Sequence, residues 1–263
     1  YMKFALKGSL FHLPFNSSLS VRGSYTLLEN KIPLLNSIQT STSGVDTPSK
    51  TSPTYAQQAL TLSSDTFKGD VSYITGQMML TSNPFDKIDT NIFYRFHDKK
   101  NDSSKITFSA TGDTTLHTSE YLSFENHSAG TDVGYQLPMK SKAKLGYDFN
   151  YVEREDRHDI GDTTDHTLFA EAKNDFFDMV NFKLRYHYMD RTGHFKKGGD
   201  STIERYMRRF DAADKNQHMI KASVDVNPIE NFEIGLDYVH KENNYNTTRI
   251  GLLSDNRDGG FVD

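Results

Sequence analysis

The sequence contains no cysteine and no tryptophan, and it has only seven prolines. Without cysteine there is no disulfide, no thiolate metal ligand and no C-x-x-C-H attachment point for a c-type haem. No run of 18 apolar residues occurs, so no segment reads as a membrane-spanning helix. Hydrophobic residues make up 35% of the 263-residue chain, which is thin for a packed soluble core. The net charge of −5 offers no basic footprint, which argues against a nucleic-acid partner. A G-x-S-x-G elbow, a P-loop and an H-E-x-x-H pair are all missing, so the expectation is that the chain is not an enzyme. One class of membrane protein passes every one of these filters. A transmembrane β-barrel needs only every second strand residue to be apolar.

That alternation is present. In "NPIENFEIGLDY" a turn is followed by Phe232, Ile234, Leu236 and Tyr238, with Glu233, Gly235 and Asp237 between them. The same design recurs in "LPFNSSLSVRGSYTL", "SNPFDKIDTNIFYRF", "LPMKSKAKLGYDFNY" and "KNDFFDMVNFKLRYHY". Four of the turns contain proline (Pro14, Pro84, Pro138, Pro228), and the other uses Asn174, Asp175 and Asp178. These residues suit tight turns because they preset φ or bond their own backbone. The reading places short turns near 14, 84, 138, 176 and 229, and about ten strands in one barrel domain, or a piece of one, over 1–263.

Each outgoing strand has one face without a charge. Leu19, Val21, Tyr25, Ile92, Tyr94, Leu145, Tyr147, Phe149, Phe182, Leu184, Tyr186, Ile234, Leu236 and Tyr238 are the expected lipid-facing residues. Arg22, Asp89, Arg95, Lys144, Asp148, Lys183, Arg185, Glu233 and Asp237 are the expected lumen-facing ones. Charges of both signs suggest a balanced wall against water or a hydrophilic guest, because a dry apolar core would not tolerate them. Aromatic residues cluster at both strand ends, as two interfacial belts require. Long polar connections over 29–69, 98–130, 153–166 and 190–215 lie opposite the short turns, which is the outer-membrane pattern. "GDSTIERYMRRFDAADK" reads as a short helix capped at Ser201 or Thr202, and "KITFSATGD" as a projecting hairpin arm. The fold class expected is therefore all-β: an antiparallel transmembrane β-barrel of the outer-membrane type, and part of a larger barrel. Beginning at Tyr1 without an initiator methionine and stopping at "GGFVD", the chain reads as a mature protein or a fragment. A soluble secreted β-sandwich binding module is the alternative fold.

Candidate chemistry is sparse. His187 and His194 come closest to a histidine cluster. Asp156, Asp159, Asp162 and Asp165, or Asp255 and Asp258, are carboxylates of the kind that bind Ca²⁺, without EF-hand spacing. Arg205, Arg208 and Arg209 have the chemistry to grip phosphate or carboxylate. No catalytic, cofactor-binding or metal residue is assigned.

The segment "RRFDAADKNQHMIKASVDVNPIENFEIGLDYVHKENNYNTTRIGLLSDN" resembles the MtrB/PioB family of outer-membrane barrels, through Arg209, Asp211, Ala213, Asp214, Pro228, Gly235, Asn244, Tyr245, Gly251 and Leu252. "GTDVGYQLPMKSKAKLGYDFNYVERE" is similar to a hairpin of that family, through Gly134, Tyr135, Gly146 and Tyr147. The resemblance implies a barrel of more than twenty strands that sheathes a multihaem c-type cytochrome in an extracellular electron-transfer conduit. It implies that haem is carried by the partner and not by this chain. It further implies an extracellular multihaem cytochrome as a second partner, and contact with outer-membrane lipid and lipopolysaccharide. An open diffusion porin or nutrient transport barrel is the competing function.

Overall fold

The computed structural model describes residues 1–34, 38–41, 56–110, 117–119, 121–155, 157, 159–177, 179–196, 209–229, 232–246 and 252–262. Among them the chain is all β. The strands are β1 (Met2–Leu13), β2 (Ser17–Pro33), β3 (Ile38–Ser41), β4 (Ala56–Leu62), β5 (Thr66–Phe85), β6 (Ile88–Asn101), β7 (Thr107–Ala110) and β8 (His117–Thr118). They continue with β9 (Phe124–Leu137), β10 (Ser141–Arg154), β11 (Ile160–Phe177), β12 (Val180–Phe195), β13 (Lys215–Ile229), β14 (Phe232–Tyr245) and β15 (Ser254–Val262). Eleven of them form one antiparallel sheet in the order β1-β2-β5-β6-β9-β10-β11-β12-β13-β14-β15. Sequence neighbours pair throughout, apart from the two detours that carry β3, β4, β7 and β8 into a separate four-stranded sheet. The expected arm in "KITFSATGD" is β7, which pairs with β4 as well as with β8. Of the short helix expected over 199–215, residues 199–208 lie outside the described residues, while 209–214 form a turn and Lys215 begins β13.

Turns alternate in length along the meander. On one side β1–β2, β5–β6, β9–β10, β11–β12 and β13–β14 are joined by two or three residues each. On the other side the strands run further than apolar alternation suggests. β5 begins at Thr66 and spans 20 residues, and β11 spans 18. At about 3.3 Å per residue, β5 is roughly 66 Å long, well beyond the 9–11 residues that cross a bilayer. A ladder needs only backbone partners, so polar side chains outside the bilayer do not end it. The long connections are correspondingly shorter than the sequence suggests.

Two of the proline turns also differ in detail. Pro84 and Pro228 lie inside β5 and β13, at register shifts between Ser82 and Phe85 and between Val226 and Ile229. Proline cannot donate to a ladder, and a bulge is where that loss is tolerated. The turns after Pro14 and Pro138 are built alike. Phe15 and Asn16 have φ of 61° and 50°, and Met139 and Lys140 have 60° and 51°. Paired left-handed residues match the twist of a two-residue hairpin, at a cost for side chains other than Gly and Asn. Ser17 Oγ donates to Pro14 O at 2.6 Å and helps to close the first of them.

The sheet has no conventional core. The only buried hydrophobic residues among those described are Ile106, Ile160, Phe169, Ala212, Ala213 and Tyr245. Leu6 is 80% exposed, Leu145 67% and Leu168 58%, with no second layer over them. A sandwich would bury that face against another sheet. β1 and β15 pair only with β2 and β14, so the sheet is open between them. This is the wall of a barrel that is not closed by these eleven strands.

The strained turn gives a direct test. Replacing Met139-Lys140 by Asn-Gly should raise stability by about 1 kcal/mol, because both residues then accept positive φ. The measurement is the temperature at which the folded, detergent-solubilised chain loses its heat-modifiable gel mobility. An unchanged or lower temperature contradicts the strained-turn account.

Candidate functional site

The ladder register puts every alternating residue of the eleven strands on one of two faces. Leu10, Leu19, Leu80 and Ile92 lie in one row across β1, β2, β5 and β6. Ile92 pairs with Thr131, and two residues along the same face Val133, Leu145, Ala170, Tyr186 and Ile220 form the next row across β9 to β13. All the residues expected to face lipid fall on this apolar face. Arg22, Asp89, Arg95, Lys144, Asp148, Lys183, Arg185 and Asp237 fall on the opposite one. The side chain of Glu233 lies outside those described. Carboxylates of the polar face are well covered, with Asp132 at 16% and Glu171 at 15%, in contrast to the bare leucines opposite. A sheet that curls towards its polar face produces this difference.

The polar face is a wall of side chains held by one another. Lys142 Nζ pairs with Asp89 at 2.7 Å and Lys144 Nζ with Asp132 at 3.0 Å, while Asn91 donates to Asp132 at 2.9 Å. Two rings lie flat on this wall. Phe169 covers Gly146, where any Cβ would overlap its ring, and Arg185 stacks over it at 4.1 Å. Phe93 covers Gly130 in the same way, with Arg95 stacked at 4.6 Å.

The charge is not balanced across the sheet. On the polar face bases sit directly opposite bases: Lys7 faces Arg22, Lys173 faces Lys183, Arg185 faces Lys221, Arg191 faces Lys215 and Lys241 faces Arg257. On the other face, beyond the apolar zone, acids sit opposite acids: Glu29 and Asp70, Asp98 and Glu125, Glu125 and Glu153, Glu153 and Asp162. The overall charge of −5 conceals this segregation. The balanced wall read from the outgoing strands alone is therefore incorrect, because the returning strands add Lys173, Lys215 and Lys221.

Where the apolar face ends, a tyrosine and a histidine meet on neighbouring strands. Tyr94 Oη lies 2.7 Å from His127 Nδ1, Tyr147 Oη 2.6 Å from His166 Nδ1, and Tyr186 Oη 2.7 Å from His218 Nδ1. On the next pair Tyr238 and His240 share Asp258, each at 2.8 Å. Each tyrosine is the seventh residue of its strand, β6, β10, β12 or β14, so the pairs stand at one height. The tyrosines are legible in the sequence as residues of the alternating face, and their histidine partners are not. The missing signal was pairing between strands far apart in sequence. His187 and His194 do not cluster. They occupy opposite faces, His187 against Phe169 and His194 against Asp162.

At the long-connection end of the polar face, residues 209–214 fold back onto β11 and β12. Arg157 donates to both oxygens of Asp159, at 2.8 and 2.6 Å, and reaches Asp211 with Nη1. Arg191 holds Asp165 bidentately at 2.6 and 2.7 Å and donates to Asp211 O at 2.9 Å. The Gly193 amide donates to Asp214 Oδ1 at 2.6 Å. Ala212, Ala213 and Ile160 are fully buried beneath this network. Arg209, Asp211, Ala213 and Asp214, read from sequence as marks of a family, are the parts of one rim knot. Asp159, Asp162 and Asp165 are engaged by Arg157, His194 and Arg191, and among the described residues they do not gather around a common point. Asp255 and Asp258 are engaged in the same way by Arg257 and His240. Arg205 and Arg208 lie outside the described residues, as does Asp156.

Arg157 holds the Asp159 carboxyl below its usual range, chiefly through their hydrogen bonds. A depressed carboxylate contributes stability above its unfolded value, about 3.9, and that contribution is lost as pH falls through the lower folded value. The knot should therefore persist at neutral pH and loosen only below about pH 4. Asp159→Asn should loosen it already at pH 7. Hydrogen exchange of the Ala212 and Ala213 amides is the readout. Equal protection in wild type and variant rejects the knot as the anchor of 209–214.

Comparison with known proteins places these features. The MtrB/PioB family, described as outer membrane beta-barrel porin, matches residues 17–263. No curated protein matches. Among solved structures, OmpTdeltaL8, a loop L8 deletion mutant of OmpT and an outer membrane protein of Vibrio cholerae, aligns over 98% of this chain and 88% of its own. That alignment has 9% identity and a TM-score of 0.45, too low to carry an argument. With the family match extending over nearly all of the two-faced sheet, the chain belongs to the MtrB/PioB family of outer membrane β-barrel porins and resides in the bacterial outer membrane.

Proposed function

We propose that this chain is part of a barrel that encloses and insulates a multihaem c-type cytochrome, forming a conduit for electrons across the outer membrane. The apolar face meets lipid and the polar face meets the guest. Haem belongs to the partner, because a chain without cysteine has no thiol to anchor c-type haem. The observation that carries the reading is the pairing of a bare apolar face with a densely ion-paired, strongly cationic face on the same sheet. The role is that of a scaffold and insulator. A low-dielectric wall keeps the haem chain apart from lipid and ions, and the wall's own residues take no part in chemistry. An extracellular multihaem cytochrome docked at the long connections completes the route. An open porin is the competing reading, and it shares the same outer face.

Two measurements test this. Extraction of the native complex in mild detergent should yield a stoichiometric Soret band with haem-stained partner bands. Extraction without haem rejects the sheath and leaves an open channel. Independently, Leu145→Arg on the bare face should cost about 2–4 kcal/mol near the bilayer midplane, whereas an exposed site in water would tolerate it. A variant that assembles into membranes as well as wild type rejects the assignment of this face to lipid.

A further inference from the structure

We infer that the polar face of β12 and β13 is an electrostatic docking surface for a carboxylate-rich face of the protein seated in the lumen. The inference rests on the sheath reading and adds to it where, and by what chemistry, the guest is held.

The polar face of β12 and β13 carries more cations than the wall's carboxylates compensate. Lys183, Arg185, Arg191, Lys215 and Lys221 share the polar face of two adjacent strands; Arg191 is held by Asp165 and Lys215 is buried, which leaves Lys183, Arg185 and Lys221 facing the lumen. The only carboxylate these strands contribute to that face is Asp225, near the short turn. Glu171 on β11 serves two cations at once, 3.5 Å from Lys183 and 3.4 Å from Arg185. Lys221 has no ion-pair partner among the described residues, and Asp237 on β14 accepts from Ser223 instead. Arg185 is fixed by its stack on Phe169, and its Nε is buried without a hydrogen-bond partner. Lys183, Arg185, His187, Lys221 and Ser223 line a recess of about 240 Å³ that opens onto the wall.

The cost of this arrangement is built into the ladder. Directly opposed side chains in an antiparallel pair are near neighbours, and like charges there are destabilising. Lys173 opposes Lys183, and Arg185 opposes Lys221, one rung apart on the same face. A wall meant only to be wetted would be served equally well by serine, threonine or alternating charges, as on β9 and β10. Bases placed against bases make sense when the compensating carboxylates arrive on another molecule, and charge complementarity of this kind fixes register as well as attraction.

The grouping of the cations selects a protein as the occupant. Lys183, Arg185 and Lys221 lie on two strands about 4.8 Å apart and two residues along them, roughly 7 Å. A small anion meets one or two of these groups at a time. A folded guest presenting several carboxylates meets all of them at one time and keeps them in register.

The test uses the native complex. Wild type and a Lys183→Glu/Lys221→Glu double variant are extracted in mild detergent, then washed over a salt series. The ratio of Soret absorbance to barrel protein is read at each step. Screening shortens the reach of charge from about 10 Å at 0.1 M salt to about 3 Å at 1 M. The variant should release the haem-bearing partner at a salt concentration about threefold lower than wild type. Lys183→Arg/Lys221→Arg should behave as wild type, and Lys183→Met/Lys221→Met should fall between. Heat-modifiable mobility establishes that each variant is folded. Equal retention in all variants overturns the docking surface and leaves the sheath intact. Absence of any haem-bearing partner from wild type overturns the sheath itself, and the docking surface with it.

Discussion

A hydrocarbon layer supplies no hydrogen bonds, so each backbone amide that crosses it must find its partner in the ladder. Most of what is seen in this chain follows from that constraint. It explains an eleven-stranded meander in which sequence neighbours pair and the detours leave and rejoin at one end. It also explains why irregularity lies at the strand ends, at the short turns where Pro84 and Pro228 sit in register shifts and at Ile160–Asp162 at the opposite end. The open edges at β1 and β15 carry the same obligation. In the membrane they must meet further strands, which accords with a wall that is one arc of a larger barrel.

Given the ladder, period-two alternation does the rest. It sends leucine, tyrosine and phenylalanine to one side and Lys142, Lys144, Asp89 and Asp132 to the other, with no need for a core between them. Stability then comes from a source unlike that of a soluble domain. Ion pairs and stacked guanidinium groups tie the inner wall, lipid covers the outer one, and among the described residues the apolar side chains with no exposure at all, Ile160, Ala212 and Ala213, lie at the rim. That rim knot ties the β10–β11 end to the segment that leads into β13, through Arg157, Asp211 and Arg191.

Much of this was legible in the sequence. Turns at Pro14 and Pro138 and the faces of β6, β10, β12 and β14 follow from residues two apart, which any reader of the chain can see. What escaped were features whose partners are remote in sequence. Tyr94 and His127 are 33 residues apart, and Arg157 and Asp211 are 54 apart. The surplus of cations was missed because the returning strands alternate weakly, and the weight of Lys221 opposite Arg185 appears only with the register. The continuation of β2 and β5 far past the apolar zone left no hydrophobic trace, since backbone pairing in water needs none.

The row of Tyr–His pairs has a mechanical consequence. Interfacial rings prefer the headgroup level, and four strands place theirs at the seventh residue from the short-turn end. Sliding the barrel by two residues, about 7 Å, would draw every one of them into hydrocarbon or lift apolar side chains into water. The row thus acts as a waterline that resists bobbing and tilting together. In the proposed sheath, a guest held by such a hull would keep a constant draught, and the gap between it and a partner above the membrane would be set by the hull.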